Sequence, residues 1–371
     1  MEPYDVVIIG AGINGCALAH SLHLKKQKVL VLEQDSIASG GSGAAGAFIN
    51  PKISKSGPLK ELIEEAYLYS LDFYTTHFPQ YTTSSPLLHI AKYSDDNEKV
   101  EYFKNNTRLA IQATPEPIAK LLKDYAHSFS SVYLTNSAVL EAKDICAAML
   151  EGIEYHNVKV EAPVYEDNLW NVSGFQAHKL VLCTGASDEL FKEEYIKLRR
   201  IYGQRCEVKS STEMKASVHH EVSVSATKKN GNIAIGASHY LKKAELPSPE
   251  DGAKALIALA EKSVKLENIE VVDVHCGMRS GSNDYLPILG SLIDSSKSLA
   301  LDDKAFKGDK SALVERYPQL YMVNGVGGYG FVLAPYLAEL MSEHLVNKKA
   351  LPEFLDVKRF YYRWAKKRGQ K

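Results

Sequence analysis

The chain has 371 residues, of which 45% are hydrophobic and 24% charged, and its formal net charge is −1. This length allows two domains, and the near-neutral balance excludes a globally basic nucleic-acid binder, so any such contact must come from a local cluster. Cysteines at 16, 146, 183, 206 and 276 show neither C-x-x-C nor Cys/His ligand spacing. They read as buried thiols of a reducing compartment, with no metal expected. No apolar run has membrane-spanning length and no leader pattern opens the chain, so a cytoplasmic protein without membrane contact is expected.

Tyr4 to Gln34 reads YDVVIIGAGINGCALAHSLHLKKQKVLVLEQ. Val6 to Ile9 is a β-branched apolar run, the mark of a buried parallel strand. Gly10, Gly12 and Gly15 then form G-x-G-x-x-G, a helical pattern follows, and Lys28 to Leu32 is a second strand ending on Glu33. This is a βαβ unit for a dinucleotide. Gly10 permits the turn, Gly12 lets a pyrophosphate approach the backbone, and Gly15 lets helix and strand pack closely. The pyrophosphate sits at the helix N-terminus, with Ile13 and Asn14 in its first turn. Glu33 and the adjoining Gln34 fall where a ribose 2′-OH is recognised. The motif alone does not separate NAD from FAD, but its place at the N-terminus fits a permanently held cofactor.

Ala38 to Pro51, ASGGSGAAGAFINP, is a small-residue loop whose backbone can approach a ligand, with Ser39, Ser42, Gly43, Gly46 and Ala47 as second cofactor contacts. A helix is predicted from Leu59 to His77. The mixed stretch 85–134 reads as an excursion into another domain, with a strand at Leu87 to Ala91 and a solvated helix at Asp95 to Asn106. Leu140 to Leu150 reads as helix and Asn157 to Ala162, which contains Val160, as strand. His178 to Cys183 is a strand ending on Thr184 and Gly185, again presenting bare backbone.

Alternating strands at Gly203 to Lys209, Glu221 to Ala226 and Asn232 to Gly236, with a turn at Lys228 to Gly231, predict an antiparallel sheet. Ser248 to Leu266 is an amphipathic helix. Ile269 to Gly277 is a strand leading to Met278 and Arg279, and DYLPILG follows at Asp284 to Gly290. Ser291 to Pro318 is a polar connection. Leu320 to Asn324 is a strand, and Gly325 to Gly330, GVGGYG, opens a helix from about Val332 to Asn347. This second glycine turn, with Gly327, Gly328, Tyr329 and Gly330, directs another helix N-terminus at negative charge. His219, His220, His239 and His275 lack the spacing and acidic partners of a metal site.

The ordered set of the N-terminal motif, ASGGSGAAGAF, CTGAS, Arg279 with DYLPILG, and GVGGYGFVLAP resembles the FAD-dependent D-amino-acid oxidase and glycine oxidase superfamily, over residues 4 to about 347. Within it the chain looks most like the C-terminal oxidoreductase domains of the bifunctional tRNA 5-methylaminomethyl-2-thiouridine biosynthesis proteins, and a stand-alone oxidoreductase is the expectation. The resemblance implies an α/β Rossmann-like FAD-binding domain at 1–80, 135–200 and 272–350. It is interleaved with an α+β substrate domain, built on an antiparallel sheet, at 81–134 and 201–271. Residues 351–371 form a basic C-terminal tail.

The resemblance also implies FAD as cofactor and oxidation of an amine bearing CH₂–COO⁻. For 5-carboxymethylaminomethyl(-2-thio)uridine at the tRNA wobble position the products are the aminomethyl form and glyoxylate. A separate methyltransferase would act next. A free glycine, sarcosine or D-amino acid as substrate is the alternative. Either substrate needs a carboxylate clamp, for which Arg279 is the choice, since a guanidinium fixes the plane of a carboxylate. Tyr329 is expected to donate to the carboxylate or cover the flavin, and Arg279 also to touch the cofactor. Tyr240 and Asn283 are further substrate candidates. Lys358 to Lys371 carries seven basic and four aromatic residues. It either contacts tRNA phosphates and splayed bases or packs as a helix whose aromatic face is docked on the body.

Overall fold

The structure, a computed structural model, describes residues 2–187 and 189–370. Its first sheet runs in the order Ile288–Ile293, Arg316–Asn324, Phe175–Leu182, Tyr4–Ile9, Val29–Glu33, Glu154–Asn157. All neighbours on this path are parallel except the first pair, which is antiparallel. Tyr4–Ile9 shows why the sequence is apolar without alternation. Val6 and Ile8 pack into the core on one face, Val7 and Ile9 into the core on the other. A strand covered on both sides gains from an apolar residue at every position.

The first face is covered by helices Ile13–Leu24, Pro58–His77 and Gly330–Asn347, which pack on one another. On Pro58–His77, the Ser70 hydroxyl donates to the carbonyl of Val332 (2.7 Å) and the Tyr74 hydroxyl to that of Phe331 (3.0 Å). These bonds hold the start of the last long helix in place. The second face is covered by helix Lys358–Arg368, whose Phe360, Tyr361, Tyr362 and Ala365 are buried. Arg359 of that helix pairs with Asp284 (2.8 Å) and donates to the carbonyls of Leu286 (3.0 Å) and Pro287 (2.9 Å), anchoring the DYLPILG segment.

The second sheet runs Glu270–Ser282, Leu198–Lys209, Ile233–Gly236, Ser223–Val224, Ser217–His219, Thr82–Ile90, Ser131–Leu140, Phe48–Ile49. Its pairings are antiparallel apart from Ser217–His219 against Thr82–Ile90. Helix Pro249–Ser263 covers one face through Ala253, Leu256 and Ala260, and the Ser248 hydroxyl caps it by accepting from the Asp251 amide (3.2 Å).

Several sequence expectations shift. The second sheet continues to Leu140 and Ser282, beyond the limits of 134 and 271 read from the sequence, because Ser131–Leu140 goes on pairing with Thr82–Ile90 and with Phe48–Ile49, and Glu270–Ser282 pairs along the full length of Leu198–Lys209. The strand expected at 157–162 lies at Glu154–Asn157 instead, where its backbone pairs with Leu30 to Glu33. The polar connection after Ser291 includes a helix at Ser295–Leu301. The last segment is not a free tail, since its aromatic residues complete a core. No helix among the described residues is long and apolar enough to cross a membrane.

Candidate functional site

From Tyr4–Ile9 the sheet grows one way through Val29–Glu33 and the other way through Phe175–Leu182. Loops leaving the carboxyl ends of two such strands diverge and leave a crevice. Two adjoining hollows of about 300 Å³ each occupy it, sharing Gly12, Gly41, Ser42, Cys183, Gly185 and Met278.

The glycine turn is shaped by backbone contacts. Gly10 has φ +106°, and a Cβ there would lie 2.5 Å from the Cys183 carbonyl oxygen. A Cβ on Gly15 would lie 1.9 Å from the Gly10 oxygen, so helix and strand approach closely only without it. Gly15 therefore shapes the wall and does not line it. Gly12, Ile13 and Asn14 do line it. The Ile13 amide donates to the Ser42 hydroxyl (2.9 Å), which ties the small-residue loop to the helix N-terminus. Asn14 is buried, and its Oδ1 has no hydrogen-bond partner in the structure.

One end of the cleft contains Gly10, Glu33, Gln34, Ser39, Val160, Thr184 and Gly185. Glu33 accepts from the amides of Ala11 (2.8 Å) and Asp35 (3.1 Å), which fixes its carboxylate beside the glycine turn. The other end contains Gly46, Ala47, Arg279, Gly327, Gly328, Tyr329 and Gly330. The small-residue loop lies against strand Glu270–Ser282. A Cβ on Gly41 would be 2.6 Å from the Met278 oxygen, and one on Gly277 2.6 Å from the Ala44 Cβ. Gly43 stands behind the wall, where a Cβ would meet the Ala38 oxygen at 2.3 Å.

Arg279 is half-buried and donates to the Ser238 carbonyl (3.3 Å). Among the described residues it has no carboxylate within ion-pair distance, and burial lowers its pKa. Burial also pushes the Tyr329 phenol up to about 12, so at neutral pH it is a hydrogen-bond donor. Two sequence candidates lie elsewhere. Tyr240 is not in the lining and exchanges backbone hydrogen bonds with Tyr202 (2.8 Å each). Asn283 is exposed beyond the end of its strand. Among the described residues no group of three or more His, Cys, Asp or Glu is placed to hold a metal.

The sequence reading missed Asn324 and His219, both in the lining. Asn324 is fully buried. Its amide donates to the Gly185 carbonyl (2.8 Å), and its Oδ1 accepts from the Ser280 hydroxyl (3.0 Å) and the Gly325 amide (2.8 Å). It locks three cleft segments together; an amide closing an apolar strand was the available signal. His219 packs edge-on against Phe48, with ring centroids 4.8 Å apart, and its buried Nε2 is unpartnered. No local signal distinguished it from His220, which bonds the Ser263 hydroxyl (2.8 Å) in a different core.

The elongated cleft, with a fixed acid at one end, a glycine-walled helix N-terminus in the middle and a second glycine turn at the other, fits an FAD lying along it. The orphaned Asn14 oxygen and Arg279, which has no carboxylate partner among the described residues, mark polar positions that a ligand would satisfy.

Comparison with known proteins agrees. The chain is 24% identical over 364 residues to the tRNA 5-methylaminomethyl-2-thiouridine biosynthesis bifunctional protein MnmC of Legionella pneumophila, covering 92% of this chain and 54% of that protein. It is 24% identical over 412 residues to the MnmC of Leptospira interrogans, covering 98% of this chain and 61% of that one. The chain thus spans little more than half the length of these relatives. Among solved structures, glycine oxidase from Geobacillus kaustophilus superposes with a TM-score of 0.76 at 18% identity, covering 96% of this chain and 99% of that one. Glycine oxidase from Bacillus cereus gives 0.74 at 20%, covering 95% and 97%. The DAO family of FAD dependent oxidoreductases matches residues 5–344. The chain therefore belongs to the DAO family of FAD-dependent oxidoreductases and is an oxidoreductase whose cofactor is FAD.

Proposed function

We propose that the protein oxidatively removes the carboxymethyl group from 5-carboxymethylaminomethyl(-2-thio)uridine at the wobble position of tRNA. The carrying observation is Arg279, a half-buried guanidinium in the cleft without a carboxylate partner among the described residues. An unpaired cation in such a place is costly unless the ligand brings the anion. The MnmC relatives suggest the nucleoside, since they are named as tRNA 5-methylaminomethyl-2-thiouridine biosynthesis proteins.

In this reading Arg279 binds the carboxylate of R–NH–CH₂–COO⁻ in two-point fashion and fixes the CH₂ carbon. Tyr329, as a neutral phenol, donates to the same carboxylate or closes the cleft over it. FAD, when bound, supplies the acceptor for two electrons. The CH₂ carbon loses a hydride and the neutral amine its proton, giving R–N=CH–COO⁻. Water adds to this imine, the C–N bond breaks, and R–NH₂ and glyoxylate leave. Along the cleft, Glu33 would hold the ribose, the N-terminus of helix Ile13–Leu24 the pyrophosphate, and Gly327 to Gly330 the ring end, with Gln34, Ser39, Ser42, Gly46, Ala47, Val160, Thr184 and Gly185 completing the cofactor contacts.

The test is anaerobic mixing of the FAD-loaded protein with tRNA carrying the carboxymethylaminomethyl group, and separately with glycine, sarcosine and D-alanine. Flavin bleaching by the tRNA with stoichiometric glyoxylate is expected. Bleaching by a free amino acid at a higher kcat/KM, with none by the tRNA, would overturn the assignment in favour of a small-molecule oxidase.

A further inference from the structure

Lys52 stands two residues beyond Asn50, which with Phe48 lines the end of the cleft that contains Arg279. It is half-buried, and its ammonium sits 5.4 Å from the ring centroid of Tyr329, itself a lining residue. Of the cations nearby, Lys92 also lies over a ring, that of Tyr93 (5.4 Å), but is exposed to water, and several others are neutralised. Lys55 pairs with Glu98 (2.7 Å), Lys60 and Arg108 share Glu64 (2.6 and 2.9 Å), and Lys104 pairs with Glu101 (2.8 Å). Lys99 pairs with Asp96. Lys52 has no carboxylate within ion-pair distance among the described residues. Burial lowers its pKa, and repulsion from Lys99 adds to the effect. A ring face is a weaker partner than an anion for a cation that has lost part of its water.

We infer that Lys52 forms a second anion subsite, which takes a phosphate of the nucleotide whose base carries the N-carboxymethylamino group. The inference rests on the function proposed above and deepens it. Arg279 in the lining and Lys52 beside the lining residue Tyr329 are two cations without a carboxylate partner among the described residues, and a simple amino acid brings a single carboxylate. A nucleotide brings a second charge at a distance from the carboxylate, to meet the cation that Tyr329 alone now faces. A lysine, a compact charge on a flexible stem, suits a tetrahedral phosphate, whereas the planar fork of Arg279 suits the carboxylate.

The experiment compares 5-carboxymethylaminomethyluridine with its 3′,5′-bisphosphate. The readout is the ratio of their apparent Kd values in anaerobic flavin reduction, for the FAD-loaded wild type, Lys52→Gln and Lys52→Arg. Both substrates meet the same protein, so a change in folded fraction cancels in the ratio. The wild type is expected to bind the bisphosphate at least tenfold more tightly. Lys52→Gln should bring that ratio near one, and Lys52→Arg should retain most of it. An equal ratio in wild type and Lys52→Gln would overturn the subsite.

Iminodiacetate and sarcosine, with two carboxylates and one, serve as the small-molecule arm. If neither uridine compound bleaches the flavin while sarcosine does, the proposed reaction is wrong, and this arm then judges Lys52. An iminodiacetate preference lost in Lys52→Gln would keep an anion subsite and overturn its nucleotide occupant. A preference unchanged by the substitution would overturn the subsite as well.

Discussion

Arg279 and Arg359 are both guanidiniums withdrawn from water, yet only one is spoken for. Arg359 has Asp284 and the carbonyls of Leu286 and Pro287, whereas Arg279 has the Ser238 carbonyl alone. The sequence ranked Arg279 by its place before DYLPILG, but the missing partner is a property of the fold. Arg279→Ala is expected to lower kcat/KM by the equivalent of about 2–5 kcal/mol, the cost of leaving a buried charge unpaired. Bound FAD, read from the absorbance ratio of flavin to protein, should stay near wild type. Loss of FAD with normal turnover after reconstitution would make Arg279 a cofactor residue instead. At the opposite end, Glu33→Ala removes a charge-assisted contact of about 1.5–3 kcal/mol, so the Kd for FAD should rise by about 10- to 150-fold in equilibrium dialysis. Glu33 was legible because a strand end and a motif spacing define it. Tyr240 was not, because an aromatic near a strand end has the same local appearance whether it faces a ligand or pairs with a neighbouring strand.

Between elements, strands Ser217–His219 and Thr82–Ile90 bring His219 directly opposite His89, with ring centroids 6.4 Å apart. Burial pushes His89 down to about 4 and, with repulsion from His89, His219 down to about 3. Both are neutral in the folded protein, and the unfolded chain binds more protons below the ordinary imidazole value near 6.5. Their contribution is therefore intact above about pH 6.5 and is lost as pH falls toward the folded values, at up to about 1.4 kcal/mol per pH unit for each ring. Urea midpoints measured from pH 7 to pH 4.5 should fall more steeply for the wild type than for His89→Gln. At the C-terminus, Tyr361 is fully buried, and Tyr361→Ala should destabilise by about 3–5 kcal/mol, as for other large aromatic truncations. Ala365 is likewise buried, so cutting the chain there would damage the core, and Arg363 and Lys367, both exposed, are the better probes of tRNA contact. If this helix meets the nucleic acid, Arg363→Gln with Lys367→Gln should make the salt dependence of tRNA affinity shallower by about 0.7–0.9 log unit per lost phosphate contact. An unchanged slope would remove the helix from the binding surface.

Across the whole molecule, the cleft draws on segments from Ile9 to Phe331, so the cofactor site is assembled only when both sheets are in place. A ligand that binds such a site stabilises the folded state by mass action, so removing FAD is expected to lower the thermal midpoint and adding it back to restore it. Acid precipitation should release the flavin into the supernatant and leave a colourless pellet. Cys206 is buried in the core under helix Pro249–Ser263, away from the cleft lining, so it is not placed to bond a flavin covalently. By itself the sequence determined the βαβ unit, the glycine turns and the end of the cleft that contains Glu33. Those features depend on contacts among residues close in the chain and on backbone geometry that few residues allow. The tertiary structure alone decided that Asn324 and His219 line the cleft, that Lys52 sits against the Tyr329 ring, that Tyr240 lies outside the lining, and that the basic C-terminal segment is a docked helix. Each of those outcomes depends on which distant strand or helix covers a side chain, and residue type and local spacing do not encode that neighbour.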